Sequence, residues 1–306
     1  MVTLVRASNP SAMTLTGTNS YLVDCGRGEA LAIDPGPPIE RHVDALIETA
    51  REKKLTIRAI ALTHGHPDHA PAAATLRERT GAPVYAHPSS AVPFDRPLAL
   101  DADWQVADRT LRVIDAPGHT FDHVVFYLPD ECALFTGDVI LGEGTVVIAP
   151  PGGAMRPYQS TLQRLHDEFP HARTIYGGHG EPVLDAQAKI IEYVEHRKMR
   201  EREIVDALER GPKTIPDLVL EIYGDKRPVL WPAMARQALA HLMALESEGR
   251  VRSTRLDRTM NEQESWILNP PLRQIVGDEQ AEVIEAELGA MLHLEHLYLY
   301  EPARLV

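Results

Sequence analysis

Three histidines and one aspartate lie within six residues of the sequence, in the stretch Thr63-His64-Gly65-His66-Pro67-Asp68-His69. Neutral imidazole and carboxylate groups are the ligands that zinc and other mid-series divalent ions prefer in proteins. The largely apolar run 57–62 directly precedes them and predicts a buried strand. The pattern therefore predicts a metal site on a loop at the end of a strand, where a rigid sheet presents ligands to solvent.

Three further polar residues follow predicted strands in the same way. They are His119 after the strand 111–115, Asp138 after the strand 132–135, and His179 after the strand 173–176. Glycines stand beside each of them and allow the backbone to approach closely. We therefore expect these side chains to complete the metal site.

The elements around these residues alternate between strands and helices. The helices are predicted over 38–53, 68–79 and 157–169, and loops rich in Gly and Pro over 88–100 and 141–156. Strands with interspersed helices, and ligands at the strand ends, predict a core of two sheets covered by helices.

The sequence changes character after about residue 185. Predicted helices over 185–210, 214–223 and 233–248 precede two segments, 250–253 and 265–268, that we interpret as the arms of a hairpin. Three helices followed by a hairpin are the order of a winged helix. We predict three parts: a catalytic domain over 1–195, a winged-helix-like domain over 196–270, and an acidic, partly helical tail over 271–306 with no assigned role.

Composition narrows the classes of partner. The net charge of −13 argues against non-specific binding to nucleic acid or anionic lipid over the whole surface. No apolar run approaches the roughly 20 residues that a membrane helix needs, and no signal peptide is visible. The two cysteines, Cys25 and Cys132, do not make a disulfide framework. A cytoplasmic protein without a membrane span is therefore expected.

The motifs T-H-x-H-x-D-H, P-G-H-T, T-G-D and G-H-G, in this order, resemble those of the metallo-β-lactamase superfamily of binuclear hydrolases. The resemblance implies an α+β fold, in which two sheets and two helical layers form an αββα four-layer sandwich. It also implies two divalent ions, expected to be zinc, although the same donors accept iron or manganese. The implied ligands are His64, His66 and His119 for one ion and Asp68, His69 and His179 for the other, with Asp138 bridging.

The resemblance also suggests roles in hydrolysis by a hydroxide held between the two ions. Asp68 is a catalytic candidate that would orient the attacking water or pass a proton to the leaving group. His123 is either a proton donor near the leaving group or a buried, hydrogen-bonded support. Asp34 and Asp122 are candidates to fix the imidazoles, and each has a simple turn or capping role as its alternative.

Within the superfamily, the stretches 16–23, 117–123 and 158–162, together with the winged-helix-like region, are most similar to the β-lactamase-like protein 2 group. Class B1 β-lactamases carry a cysteine ligand in the second site, whereas here Asp138 takes the bridging place. Antibiotic hydrolysis is therefore not expected as the native activity.

Two classes of substrate follow from these resemblances. The first is single-stranded RNA, whose phosphates Arg250 and Arg252 on the predicted wing would contact, unless these arginines are only solvated. The second is a small-molecule thioester or other acyl ester, as in relatives of the glyoxalase II type. Tyr158 and Ser160 would face the pocket or merely begin a helix.

A third hypothesis is a non-catalytic metal-binding interaction protein, which the complete ligand set disfavours. The helices of the winged-helix-like region are expected to pack against the core or against a second subunit in a homodimer.

Overall fold

The computed structural model describes residues 1–278, 281–282, 284–285 and 297–303 of the chain. Two larger sheets and one two-stranded sheet are present in this part of the chain. None of its described helices is both long and apolar enough to cross a membrane.

The first sheet has six strands whose spatial order follows the chain. They are β1 (Val2–Arg6), β2 (Asn19–Asp24), β3 (Glu29–Ile33), β4 (Thr56–Ala61), β5 (Val84–Ala86) and β6 (Arg96–Pro97). β1, β2 and β3 pair antiparallel, and β4, β5 and β6 continue the sheet parallel to β3. The connections between the parallel strands contain two helices, α1 (Glu40–Glu52) and α2 (Ala72–Thr80), which cover the outer face.

The second sheet has five strands, and their spatial order also follows the chain. Their bounds are β7 (Ala102–Val106), β8 (Arg109–Asp115), β9 (Val124–Leu128), β10 (Ala133–Gly137) and β11 (Thr174–Gly177). Two helices, α3 (Met155–Glu168) and the first half of α4 (Ala186–Glu209), pack on its outer face.

Side chains that alternate along the strands hold the four layers together. In β2, Leu22 packs beneath α1 and α2, whereas its neighbour Tyr21 faces the second sheet and contacts the ring of Phe135 at 5.5 Å. In β10, Leu134 faces α3 while Phe135 lies between the sheets. Each central strand is therefore buried on both faces, and the predicted αββα sandwich is confirmed.

A smaller helical unit follows. It contains α5 (Ile215–Tyr223), α6 (Trp231–Ser247), β12 (Val251–Arg255), α7 (Glu262–Leu268), α8 (Leu272–Val276) and β13 (Tyr298–Pro302). The predicted boundary between residues 195 and 196 lies within α4. This helix contributes Tyr193 to the core of the second sheet and Leu208 to the core of the helical unit. The boundary itself stays a prediction.

The predicted hairpin was wrong in its second arm. β12 pairs antiparallel with β13, from the predicted tail, and residues 265–268 belong to α7. The reason is a capping box: the Asn261 side chain accepts a hydrogen bond from the Glu264 amide, and the Glu264 carboxylate accepts one from the Asn261 amide, both at 2.9 Å. This reciprocal pair starts a helix where a strand was expected.

The predicted helix over 68–79 begins later, at Ala72. Pro71 occupies its N-cap position, and a proline disfavours helical backbone in the residue before it. Asp68 and His69 consequently lie in a turn outside the helix.

Candidate metal centre

The seven predicted ligands meet at one edge of the sandwich. His64, His66, Asp68 and His69 follow β4 in the first sheet. His119, Asp138 and His179 come after β8, β10 and β11 in the second sheet. Because the sheets pack face to face, these strand ends bring ligands from four segments of the chain into one cluster.

The first group consists of His64, His66 and His119, whose ring nitrogens lie within 4.8 Å of one another. His119 Nε2 lies 3.1 Å from His66 Nδ1. Burial lowers the pKa of all three imidazoles, that of His119 to about 3. They are therefore neutral at pH 7, which is the form that binds metal.

The second group consists of Asp68, His69 and His179, again with ligand atoms within 4.8 Å of one another. Asp68 Oδ2 lies 3.3 Å from His69 Nε2 and 3.2 Å from His179 Nε2. Asp138 lies between the groups, because its Oδ2 is 3.4 Å from His179 Nε2 and 3.8 Å from His119 Nε2. This carboxylate is therefore placed to reach both.

The second group is strongly polarised. Burial disfavours protonation of His69 and His179, but the carboxylates of Asp68 and Asp138 outweigh it. The pKa of His179 rises to about 9, and that of His69 lies well above its usual range. Burial would raise the pKa of Asp138, yet His179 and His69 hold it well below its ordinary value. A divalent cation bound between these carboxylates and imidazoles would displace the protons from His69 and His179.

The donor atoms fit divalent ions. His64 is buried, and its Nε2 has no hydrogen-bond partner among the described residues. Such a buried, unsatisfied nitrogen is rare unless another group binds it. Three imidazoles in one group, and two imidazoles with a carboxylate in the other, are donor sets that zinc accepts.

Asp34 fixes the orientation of two ligands. Its buried carboxylate accepts hydrogen bonds from His69 Nδ1 at 2.9 Å and from the Thr63 hydroxyl at 2.7 Å. The Thr63 hydroxyl in turn lies 3.0 Å from His64 Nδ1 and, since it donates to Asp34, accepts from that ring. With Nδ1 of each ring held in this way, Nε2 of His64 and of His69 is the nitrogen available to a metal ion, as in known metal sites.

Other ligands are held by backbone and hydroxyl groups that sequence reasoning did not assign. His119 Nδ1 donates to the Val147 carbonyl at 2.9 Å, and His179 Nδ1 lies 3.3 Å from the Gly17 carbonyl. The Thr18 hydroxyl donates to Asp68 Oδ2 at 2.9 Å. The only available signal was the position of Gly17 and Thr18 in a stretch shared with the resembled group.

Gly178 shows how tightly the site is packed. A Cβ atom at this position would lie 2.3 Å from Asp138 Oδ1 and 2.6 Å from the ring of His69. Only glycine therefore lets the backbone of the G-H-G motif pass beside the ligands.

A family model described as the metallo-beta-lactamase superfamily matches residues 13–109 and 101–179, the segments that carry this cluster. The chain belongs to the metallo-β-lactamase superfamily. A second model, described as the beta-lactamase associated winged helix domain, matches residues 214–266. Members of this superfamily are generally metal-dependent hydrolases and typically bind two ions. The present chain is a metal-dependent hydrolase of this superfamily, with clustered His and Asp side chains that could hold metal.

Individual relatives support the same placement. A "Beta-lactamase-like protein 2 homolog" of Drosophila melanogaster is 34% identical over 264 residues, covering 80% of this chain and 87% of that protein. An "Atrochrysone carboxyl ACP thioesterase" of Aspergillus chevalieri is 33% identical over 237 residues, 73% of each chain. The predicted similarity to the β-lactamase-like protein 2 group is confirmed.

Among solved structures, a metallo-beta-lactamase family protein from Thermus thermophilus superposes with a TM-score of 0.67. It is 26% identical and covers 83% of this chain and 95% of its own.

His123 and Asp122, two further predicted residues, make different contacts. His123 is fully buried; its Nε2 accepts a hydrogen bond from the Asp138 amide at 3.2 Å, and its ring stacks on His64 at 4.7 Å. These contacts favour a buried support over a proton donor, and that role of His123 stays a prediction. The Asp122 carboxylate instead accepts from the Ser90 hydroxyl at 3.1 Å.

The predicted substrate residues lie elsewhere. Tyr158 is buried and its hydroxyl donates to the Val139 carbonyl, whereas Ser160 is exposed on α3. Arg250 pairs with Glu201 and Glu248, and Arg252 pairs with Glu301. None of these four side chains lines the cavity that lies beside the proposed metal ligands.

That cavity has a volume of about 500 Å³ and ends at His66, His119 and Asp138. Its walls are mostly apolar, and no lysine or arginine is among the described residues that line it. The apolar lining comes from Ala12, Met13, Leu15, Leu141, Val146, Val147, Ala149, Pro150, Pro151, Leu230, Ala233 and Met234.

Proposed function

We propose that this protein hydrolyses a small-molecule acyl ester or thioester with an apolar acyl group. The observation that carries the proposal is the apolar cavity, which ends at His66, His119 and Asp138 and has no lysine or arginine among its described lining residues. A concave, mostly apolar site with a few polar groups at one end suits a small ligand. The thioesterase name of the Aspergillus chevalieri relative supports this class of substrate.

The same cavity disfavours RNA. Binding of a single strand uses a groove of positive charge along the backbone, together with aromatic platforms for the bases. The arginines predicted to contact phosphates are engaged with glutamates outside the cavity. The net charge of −13 adds a repulsive field.

We further propose that the seven clustered residues hold two divalent ions, zinc being the expected metal. His64, His66 and His119 would hold one ion, Asp68, His69 and His179 the other, and Asp138 would bridge them. Ions bound in this way lower the pKa of a water and polarise a carbonyl oxygen.

The remaining chemistry belongs to the protein side chains. Asp34 and Thr63 keep the imidazoles oriented, and the Asp138 amide is anchored on His123. The Thr18 hydroxyl orients Asp68, whose carboxylate is proposed to take the proton of the attacking water and return it to the leaving thiolate or alkoxide. The apolar walls bind the acyl chain and exclude bulk water beside the reacting carbonyl.

A comparison of substrates tests this proposal. Purified protein with measured metal content would be assayed on acyl thioesters of N-acetylcysteamine, on p-nitrophenyl esters, on single-stranded RNA and on a chromogenic cephalosporin. We expect turnover of thioesters or esters that is lost in Asp138→Asn. Cleavage of RNA that depends on Asp138, without turnover of any ester, would overturn the proposal.

A further inference from the structure

One wall of the cavity is built by the C-terminal unit. Leu230 directly precedes α6, and Ala233 and Met234 lie in its first turn. Residues at positions i, i+3 and i+4 share one face of a helix, so these three present a continuous apolar surface. We propose that this face of α6 is the acyl-binding wall and that Met234 determines the length of acyl chain accepted. The inference rests on the proposed esterase function.

The wall is packed directly on the catalytic domain. Leu230 and Ala233 belong to an apolar cluster that also contains Met13 and Val147, two residues of the catalytic domain. Met13 and Val147 line the same cavity. The two parts of the chain therefore share a core at the substrate site, and the C-terminal unit is part of the active site.

Three hydrogen bonds fix this wall relative to the proposed metal ligands, and each of them is made by the loop that contains residues 146–148. Arg197 of α4 donates to the Val146 carbonyl at 2.6 Å, and His119 donates to the Val147 carbonyl at 2.9 Å. The Ile148 amide donates to the Gln237 side chain of α6 at 3.2 Å. One short loop thus connects a metal ligand, α4 and α6, so the acyl wall keeps a defined distance from the reacting end.

Met234 is the wall residue whose size is most easily changed. It is half-buried, whereas Ala233 is buried and already small. Met234→Ala removes three heavy atoms, which frees room for about two to three methylenes of substrate. Each buried methylene is worth about fourfold in binding. The variant is therefore expected to raise kcat/KM about 16-fold for acyl chains two carbons longer than the wild-type optimum.

The test measures kcat/KM for a series of thioesters from acetyl to dodecanoyl. Met234→Ala should move the optimum to longer chains, and Met234→Phe should move it to shorter ones. Met243→Ala is the matched control, because Met243 lies in the same helix, is 50% exposed and does not line this cavity. Melting temperature and bound metal are measured for each variant, and the two Met234 substitutions act in opposite directions, so a loss of folding in one leaves the other decisive.

The outcomes separate the two proposals. Opposite shifts for the two Met234 variants, with an unchanged profile for Met243→Ala, support the acyl wall. Active Met234 variants with the wild-type profile overturn it and leave the esterase function standing. A wild-type protein that turns over no ester or thioester refutes the proposed function, and the acyl wall with it.

Discussion

Replacing Asp34 by asparagine tests how far metal binding by the two ligand groups depends on a residue that is not itself a proposed ligand. The carboxylate accepts three hydrogen bonds, from the Thr63 amide, the Thr63 hydroxyl and His69 Nδ1. The amide oxygen of an asparagine can keep the first, but its NH₂ group cannot accept the other two. With bonds to a charged group worth about 1.5 kcal/mol or more each, the variant should lose about 3 kcal/mol of stability. Its metal affinity should fall about 10- to 100-fold, as for other residues that orient ligands.

The assay is metal retention after dialysis against graded concentrations of chelator, measured by mass spectrometry, together with urea unfolding. Asp24→Asn is the control, since Asp24 also accepts a backbone amide, from Gly26 at 3.0 Å, but lies away from the site. Equal metal retention in Asp34→Asn, Asp24→Asn and the wild type would refute the view that Asp34 holds the imidazoles in place.

Three further results are expected. Thr18→Val removes the hydroxyl that donates a hydrogen bond to Asp68. Because one hydrogen bond to a charged group is lost, kcat should fall about tenfold while both ions are retained. A loss of metal instead would assign Thr18 to the metal site. Treatment with a chelator should abolish hydrolysis and zinc should restore it, whereas full activity of the metal-free protein would exclude a metal mechanism. The third concerns Glu201, whose pKa is held well below its usual value by His241, Arg156 and Arg250. The ionised Glu201 side chain therefore stabilises the fold fully above the unfolded-state pKa of about 4.3, and this stabilisation is lost as the pH falls below that value. The difference in urea midpoint between the wild type and Glu201→Gln should consequently shrink from pH 7 to pH 3, and a constant difference would contradict this.

The clustering of the seven side chains was predictable because they are encoded at the ends of strands. His64, His119, Asp138 and His179 each follow a predicted strand, and the ends of strands in two packed sheets converge whatever the details of the loops. The type and spacing of these residues were therefore enough to predict that their side chains lie together, and metal binding by them stays a prediction.

The partners of the ligands were less accessible to sequence reasoning. Thr18, Val147 and Gly17 act through a hydroxyl or a carbonyl, and such contacts have no residue-type pattern. Arg250 and Arg252 show the converse: a run of arginines suggested phosphate binding, but Glu201 and Glu301, remote in sequence, neutralise them. Ion pairs of this kind follow from tertiary packing, which composition does not report.

The C-terminal unit shows where local patterns were misleading. The apolar segment around Trp266 has the composition of a strand, yet the capping box at Asn261 makes it a helix. The true partner of β12 is β13, more than forty residues along the chain. Pairing over such a separation depends on how the helices between them pack. The contribution of Met234 to the cavity depends on the same packing.

Crystals of the zinc-loaded protein would test the central claim most directly, through anomalous scattering at the zinc absorption edge. Two peaks are expected, one among His64, His66 and His119 and the other among Asp68, His69 and His179, with Asp138 beside both. A single peak, or zinc bound away from these seven side chains, would contradict the binuclear centre.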